Sequence, residues 1–185
     1  MINKLTAQCG SQKGFTMLEL LIAIAIMGIL AAVSLPSFMD TLGRWAANSA
    51  TRSLAGSLNL ARSEAIKQGV DVSICPTNSG TDCVANSWSG GWIIFIDANG
   101  DADGAAGSID AGDTIIRVYE PLSNMTVATT PANTNLLEYD RKGFGTNAAA
   151  VTLKICPVDA NVDNAREVII SLSGRARINE DVASC

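Results

Sequence analysis

The chain has no histidine, which removes the commonest general base and the commonest nitrogen ligand for a metal. Serine and aspartate are plentiful, but without a base to activate a nucleophile they form no catalytic constellation, so an enzyme is not expected. Charge is sparse too: 17% of 185 residues, with 13 basic against 18 acidic for a formal −5. That balance argues against a nonspecific grip on nucleic acid or anionic lipid. Aromatic residues make up only 5%, and Trp88, Trp92 and Phe95 read as core and loop anchors.

What is abundant is apolar length near the N-terminus. From Phe15 to Leu35 the chain runs for 21 residues with one charge, Glu19. As a helix rising about 1.5 Å per residue, the run covers the roughly 30 Å hydrocarbon core of a bilayer. A carboxylate inside such a run costs about 3 kcal/mol unless it finds a partner. Residues 1–14, MINKLTAQCGSQKG, carry Lys4 and Lys13, no acid, and end in glycine before the apolar run rather than after it. A secretory signal would place its small-residue cleavage site on the far side. Cleavage between Gly14 and Phe15 keeps the run intact and creates an α-amine at its start. That cation can meet Glu19 of a neighbouring subunit, staggered along the helix axis. A buried pair of this kind adds little net stability but is expensive to leave half-made, so it fixes register.

Gly14, Phe15, Thr16, Leu18, Glu19, Leu20 and Pro36 together resemble the class III signal of type IV pilins and type II secretion pseudopilins: basic leader, G-F-T-x-x-E-L, apolar helix, proline. The resemblance implies cleavage after Gly14 by a prepilin peptidase, N-methylation of Phe15, and an assembly role for Glu19 and Pro36. Methylation at one site keeps the amine charged. The implied location is the bacterial inner membrane, single-pass with the head in the periplasm, then a pilus or pseudopilus. Partners implied are other pilin or pseudopilin subunits, the peptidase and an inner-membrane assembly platform. Losing Lys4 and Lys13 with the leader leaves 11 basic residues against 18 acids, a formal −7.

Of five cysteines, Cys9 leaves with the leader, and Cys75, Cys83, Cys156 and Cys185 remain in an oxidising compartment. Four cysteines allow three pairings. The preferred set is Cys75–Cys83, closing a short loop, with Cys156–Cys185 tying the tail to the body. No C-x₂-C spacing supports zinc.

Three regions are expected: leader 1–14, an N-terminal helix over 15–68, and a β-rich head over 69–185. The helix is transmembrane to about residue 37 and amphipathic beyond, with Pro36 and Gly28 as places for it to bend. Phe38, Leu42, Ala46, Ala50, Leu54, Leu58, Ala61 and Ala65 form an apolar stripe that Trp45 extends, with Gly69 as C-cap. Arg44, Asn48, Arg52, Asn59 and Arg62 mark the opposite, solvated or subunit-facing side. Strands are expected at 70–75, 91–96, 113–119, 122–127, 136–140, 151–156, 167–173 and 175–178, with 136–140 and 151–156 as a hairpin. The result is an α+β fold, a long helix packed on a mostly antiparallel sheet. LARSEAIKQG, GGWIIFIDANGD, GDTIIRVYEPL and SGRARI are similar to one branch of the family, the FimT/FimU minor pilins and GspH pseudopilins. A minor pilin of a type IV pilus is therefore expected, with a GspH-type pseudopilin as the alternative.

Two further motifs stand beside their simpler readings. Asp97, Asn99, Asp101 and Asp103, followed by Asp110 and Asp113, place oxygens at alternate positions like the first half of a calcium loop. Ala102 and Ser108 stand where that loop needs a glycine and a bidentate acid, and a solvated loop with Asx-turns is the other reading. Calcium is the one cofactor the chain suggests. Arg175 and Arg177 in Gly-Arg-Ala-Arg share one side of a strand and can span neighbouring phosphates. Some minor pilins with such an end bind DNA in natural transformation, whereas two arginines on an edge strand also guard against edge pairing.

Overall fold

The computed structural model describes residues 14–85, 88–98, 109, 112–159 and 162–185. Two compact units divide the chain, Met1–Met39 and Asp40–Cys185. One helix, α1 (Met17–Gln68), contributes to both and passes Pro36 without a break, although the proline's missing N–H removes one rung of the helical ladder. It ends where Gly69 takes a positive φ of 69° and its amide reaches the Ala65 carbonyl at 2.9 Å, a glycine C-cap.

In the first unit every described side chain from Gly14 to Ala32 is exposed. No helix among the described residues is long and apolar enough to cross a membrane. The side chains of 33–37, 39 and 40 fall outside the described set.

In the second unit eight strands follow the helix: β1 (Val72–Pro76), β2 (Trp92–Ile96), β3 (Thr114–Tyr119), β4 (Met125–Thr130), β5 (Leu137–Tyr139), β6 (Val151–Pro157), β7 (Arg166–Ile170) and β8 (Ala176–Asn179). They pair antiparallel throughout, as an α+β fold with the order β3-β2-β1-β5 in sheet A and β4-β6-β7-β8 in sheet B. Small residues line the buried side of α1, Ala47, Ala50, Ala61 and Ala65 among them, so its backbone sits close to both sheets. Leu54 and Leu58 fill the space between, against Val72, Ile74 and Ile94 of sheet A and Leu153, Ile155 and Val168 of sheet B. Trp88 and Trp92 are buried in the same core, and the Trp88 indole N–H donates to the Thr134 carbonyl at 2.8 Å. Phe95 packs on the other side of sheet A with Ile93 and Cys75.

Four details depart from the sequence-based expectation. The strands form two sheets rather than one. The fourth strand lies at 125–130, three residues beyond the predicted 122–127. Strands β5 and β6 are not a hairpin: β5 pairs with β1 and β6 with β4 and β7. The turn after β5 closes on itself, with the Tyr139–Gly145 bridge and the Asp140 carboxylate accepting the Lys142 and Phe144 amides at 2.9 and 2.8 Å. That leaves the chain free to cross to the other sheet. Finally, Phe38 is 61% exposed, Leu42 48% and Trp45 77%, so none of the three belongs to the stripe that α1 buries.

Arg62 does more than face solvent. Its Nε donates to the Gly143 carbonyl at 2.8 Å and its Nη2 to the Ser173 carbonyl at 3.2 Å, joining the turns after β5 and after β7. Gly174, at φ 75°, lies against the Gly143 carbonyl, where a side chain has no room. Replacing Arg62 with Ala should cost about 2 kcal/mol in the unfolding of detergent-solubilised full-length protein, because two carbonyls lose a charged donor. Trp45→Ala should change it by no more than about 0.5 kcal/mol.

Tyr139 is buried and its hydroxyl has no hydrogen-bond partner among the described residues. Burial pushes its phenol up to about 12, against a smaller opposing pull from Arg62. The folded state thus holds this proton more tightly than the unfolded chain does. Its contribution is complete below the ordinary tyrosine pKa near 10 and is lost as pH rises toward about 12. Tyr139→Phe should abolish that part of the alkaline loss of stability while leaving stability at neutral pH unreduced, as denaturant titrations at both pH values would read.

Candidate assembly site

The start of α1 is built by a local cap. Thr16 precedes the helix, and its hydroxyl accepts the Glu19 amide at 3.2 Å, satisfying one of the orphan N–H groups of the first turn. Thr16-Met17-Leu18-Glu19 is a capping-box sequence, and an acid in the first turn also complements the helix dipole. The cap explains why helix begins at Met17; it leaves the Glu19 carboxylate without an ion pair in the described residues. Around it Phe15, Met17, Leu18, Leu20 and Leu21 are each more than half exposed. At about 1.5–3 kcal/mol per large apolar side chain, such a surface is stable only when lipid or other helices cover it. A carboxylate within that cover needs a cation.

The other predicted residues lie in the head. Cys75 is bonded to Cys83 and Cys156 to Cys185. The first bridge closes the loop over sheet A, and the second holds the tail where Val182 packs on Cys156 and Ala165. Arg175 and Arg177 are exposed at the open edge of sheet B, on the face that also carries Ile169. The turn contacts bring Arg141 and Lys142 to the same end, since the Gly145 amide donates to the Leu172 carbonyl at 3.2 Å. Lys154 and Arg166 do not join them. Lys154 is 3.9 Å from Glu167, and Arg166 is taken up by Asn48 at 3.1 Å and by backbone carbonyls of Asp163 and Ala165.

Of the suggested calcium ligands, Asp97 is buried at the end of β2, while Asn99, Asp101, Asp103 and Asp110 lie outside the described residues. The Asp113 carboxylate accepts the Ala98 amide at 3.2 Å. Among the described residues no acidic, cysteine or histidine group is arranged to hold a metal.

Sequence reading took Thr16 only as part of the N-terminal signal and missed its role as the helix cap, although the capping-box spacing was there to find. It also placed Arg62 on the solvated side, and no local signal announces bonds to residues 81 and 111 positions away.

The fold is a long N-terminal helix, apolar and exposed at its start, whose later part packs on two antiparallel sheets, and it has known relatives. Residues 50–174 match the family described as Type II transport protein GspH, and residues 9–35 match the prokaryotic N-terminal methylation motif. The pilin-like protein PilA1 of Thermus thermophilus is 30% identical over 173 residues, 91% of this chain and 99% of that one. The type IV major pilin PilE1 of Neisseria gonorrhoeae shares 64% identity over 33 residues, covering 18% of this chain and 20% of its own. The crystal structure of the type IV minor pilin FimU of Pseudomonas aeruginosa has the same fold, with TM-score 0.56 and 23% identity over 75% of this chain and 93% of that one. The chain belongs to the GspH family and carries the prokaryotic N-terminal methylation motif at its start. The relatives named here are described as pilins or pilin-like proteins.

Proposed function

We propose that this chain is a minor pilin of a type IV pilus. It is made with leader 1–14, cut between Gly14 and Phe15 by a prepilin peptidase, and N-methylated at Phe15. It waits in the inner membrane with its head in the periplasm, and the assembly platform then extracts it into the filament. The observation that carries this reading is the pairing of an apolar helix start, its large side chains more than half exposed, with a Glu19 that has no ion pair among the described residues, in the Gly14-Phe15-Thr16 frame. The helix exchanges lipid for the filament core, and Glu19 meets the Phe15 amine of a neighbour to set register.

The equivalent pseudopilin of a type II secretion system has the same chemistry and different partners. Loss of twitching motility on deletion supports the pilus; loss of exoprotein secretion supports the pseudopilus.

DNA capture is a second reading, favoured by one observation: Arg175 and Arg177 are exposed beside Arg141 and Lys142, with no ion pair in the described residues. On that reading, duplex DNA should be retained at low salt and released as salt rises, and Arg175→Gln/Arg177→Gln should abolish retention. Absence of binding at low salt dismisses it.

For the filament reading, Glu19→Ala should yield a membrane-inserted, processed protein that is at least about tenfold depleted from sheared filaments, measured by immunoblot against the wild type. Normal incorporation of this variant contradicts the register role.

A further inference from the structure

Sheet A ends at β5, and a hollow of about 290 Å³ opens beside that strand. It is lined by the loop from Asn133 to Leu136, by Glu138 of β5, and by Thr146 and Asn147 beyond the following turn. Both sides are held in place. Trp88 donates its indole N–H to the Thr134 carbonyl at 2.8 Å, and the Thr134 amide donates to Thr129 Oγ1 at 3.2 Å. On the other side the Thr146 amide donates to the Glu138 carbonyl and Asn147 Nδ2 to the Leu136 carbonyl, both at 3.1 Å. Asn133 sits at φ 62°, in the left-handed region that asparagine tolerates better than most residues. A site whose walls are already fixed loses little freedom when it is filled.

The lining decides the chemistry of an occupant. Of the described residues that form it, Leu136 alone is apolar; the others are three asparagines, two threonines and Glu138. An apolar ligand would cover amides and a carboxylate without pairing them, which is unfavourable. An anion would meet Glu138 and no cation. Glu138 is half-buried, and among the described residues its carboxylate takes one hydrogen bond, from Thr146 Oγ1 at 2.8 Å. Ser73, its cross-strand neighbour on β1, is fully buried with its hydroxyl unpaired among the described residues, so it gives the acid nothing. Every lysine and arginine beyond residue 39 lies among the described residues, and none forms an ion pair with Glu138. No second acid, cysteine or histidine joins Glu138 in a metal-holding group among the described residues. The neutral oxygens of asparagine and threonine that surround it suit a cation rich in N–H donors. A guanidinium offers several such donors in one plane and pairs bidentately with a carboxylate.

We propose that this hollow binds a guanidinium group carried on an aliphatic stem, with Glu138 as its counter-ion and the asparagine and threonine oxygens taking the remaining N–H groups. Two sources carry that group: an arginine side chain of another protein, and a free small guanidine. A neutral sugar would hydrogen-bond to the same amides, but it brings no charge to Glu138 and finds no aromatic face among the described lining residues. The inference goes beyond the filament reading and does not depend on it, because no residue of α1 takes part.

The test follows the side-chain amide signals of Asn133, Asn135 and Asn147 by NMR in isotope-labelled full-length protein held in detergent micelles. The probes are N-acetyl-arginine amide, which mimics a protein side chain, agmatine, a free guanidine, and N-acetyl-citrulline amide, which keeps the shape without the charge. The arginine amide should shift those signals saturably with a Kd of about 1–10 mM, as one small solvated group allows, and added salt should weaken it. The citrulline amide should bind at least about tenfold more weakly, and Glu138→Gln should lose about the same factor for the arginine amide. Asn133→Gly keeps the backbone, since glycine accepts a positive φ, and should weaken binding about threefold; it serves if Glu138→Gln does not fold. Unchanged melting temperatures would show that the variants fold. Tighter binding of the arginine amide than of agmatine supports a protein side chain as the occupant, and the reverse supports a free guanidine. Absence of a saturable shift up to about 50 mM arginine amide or agmatine overturns the proposal. So does equal binding of the citrulline amide, or wild-type affinity in Glu138→Gln. Shifts at the same asparagines with methyl glucoside, and none with the arginine amide, overturn it in favour of a sugar.

Discussion

A carboxylate set among exposed leucines and isoleucines is the constraint on which the rest of this protein turns. Glu19 lies in the first turn of α1, its amide held by Thr16, with apolar side chains exposed on every side. The cap and the helix dipole make the acid tolerable to the helix itself, but they do not discharge it. Whatever covers the apolar surface must also bring a positive group. An amine at Phe15 of an adjacent chain has the right charge and sits on the same kind of surface. In the proposed filament, one short motif ties processing, membrane residence and polymer register together.

The head meets a different demand, which is to hold a presentable surface rigidly on one end of a helix. Alanines on the buried side of α1 let two sheets close on it, and the two disulfides fasten a loop and the tail to those sheets. Arg62 then reaches out of the helix to fix the turns that lie beyond it. Rigid turns lose little freedom on binding, so side chains mounted on them make better contacts than the same side chains on a loose loop.

Much of this was readable from the residues, and the boundary falls where local pattern stops deciding. Helix length, the Gly69 cap, the antiparallel β character and the position of most strands follow from periodicity and from glycine. Leu137–Tyr139 and Val151–Pro157 show the limit: each reads as a strand with a turn between them, but the residues of a turn do not say which sheet the next strand will join. Trp45 shows another, since apolar character at helical spacing does not tell a buried position from one awaiting a partner subunit. The arginines at 175 and 177 were visible as a pair. Only the fold decides that Arg141 and Lys142 come near them while Lys154 and Arg166 do not.

The account is tested most directly by the N-terminus of the mature protein. Mass spectrometry of the chain purified from its native membrane or filament should find a first residue of N-methylated Phe15, with Glu19 four positions on. A mature chain that starts at any other residue would leave Glu19 without its cation and contradict the account at its root.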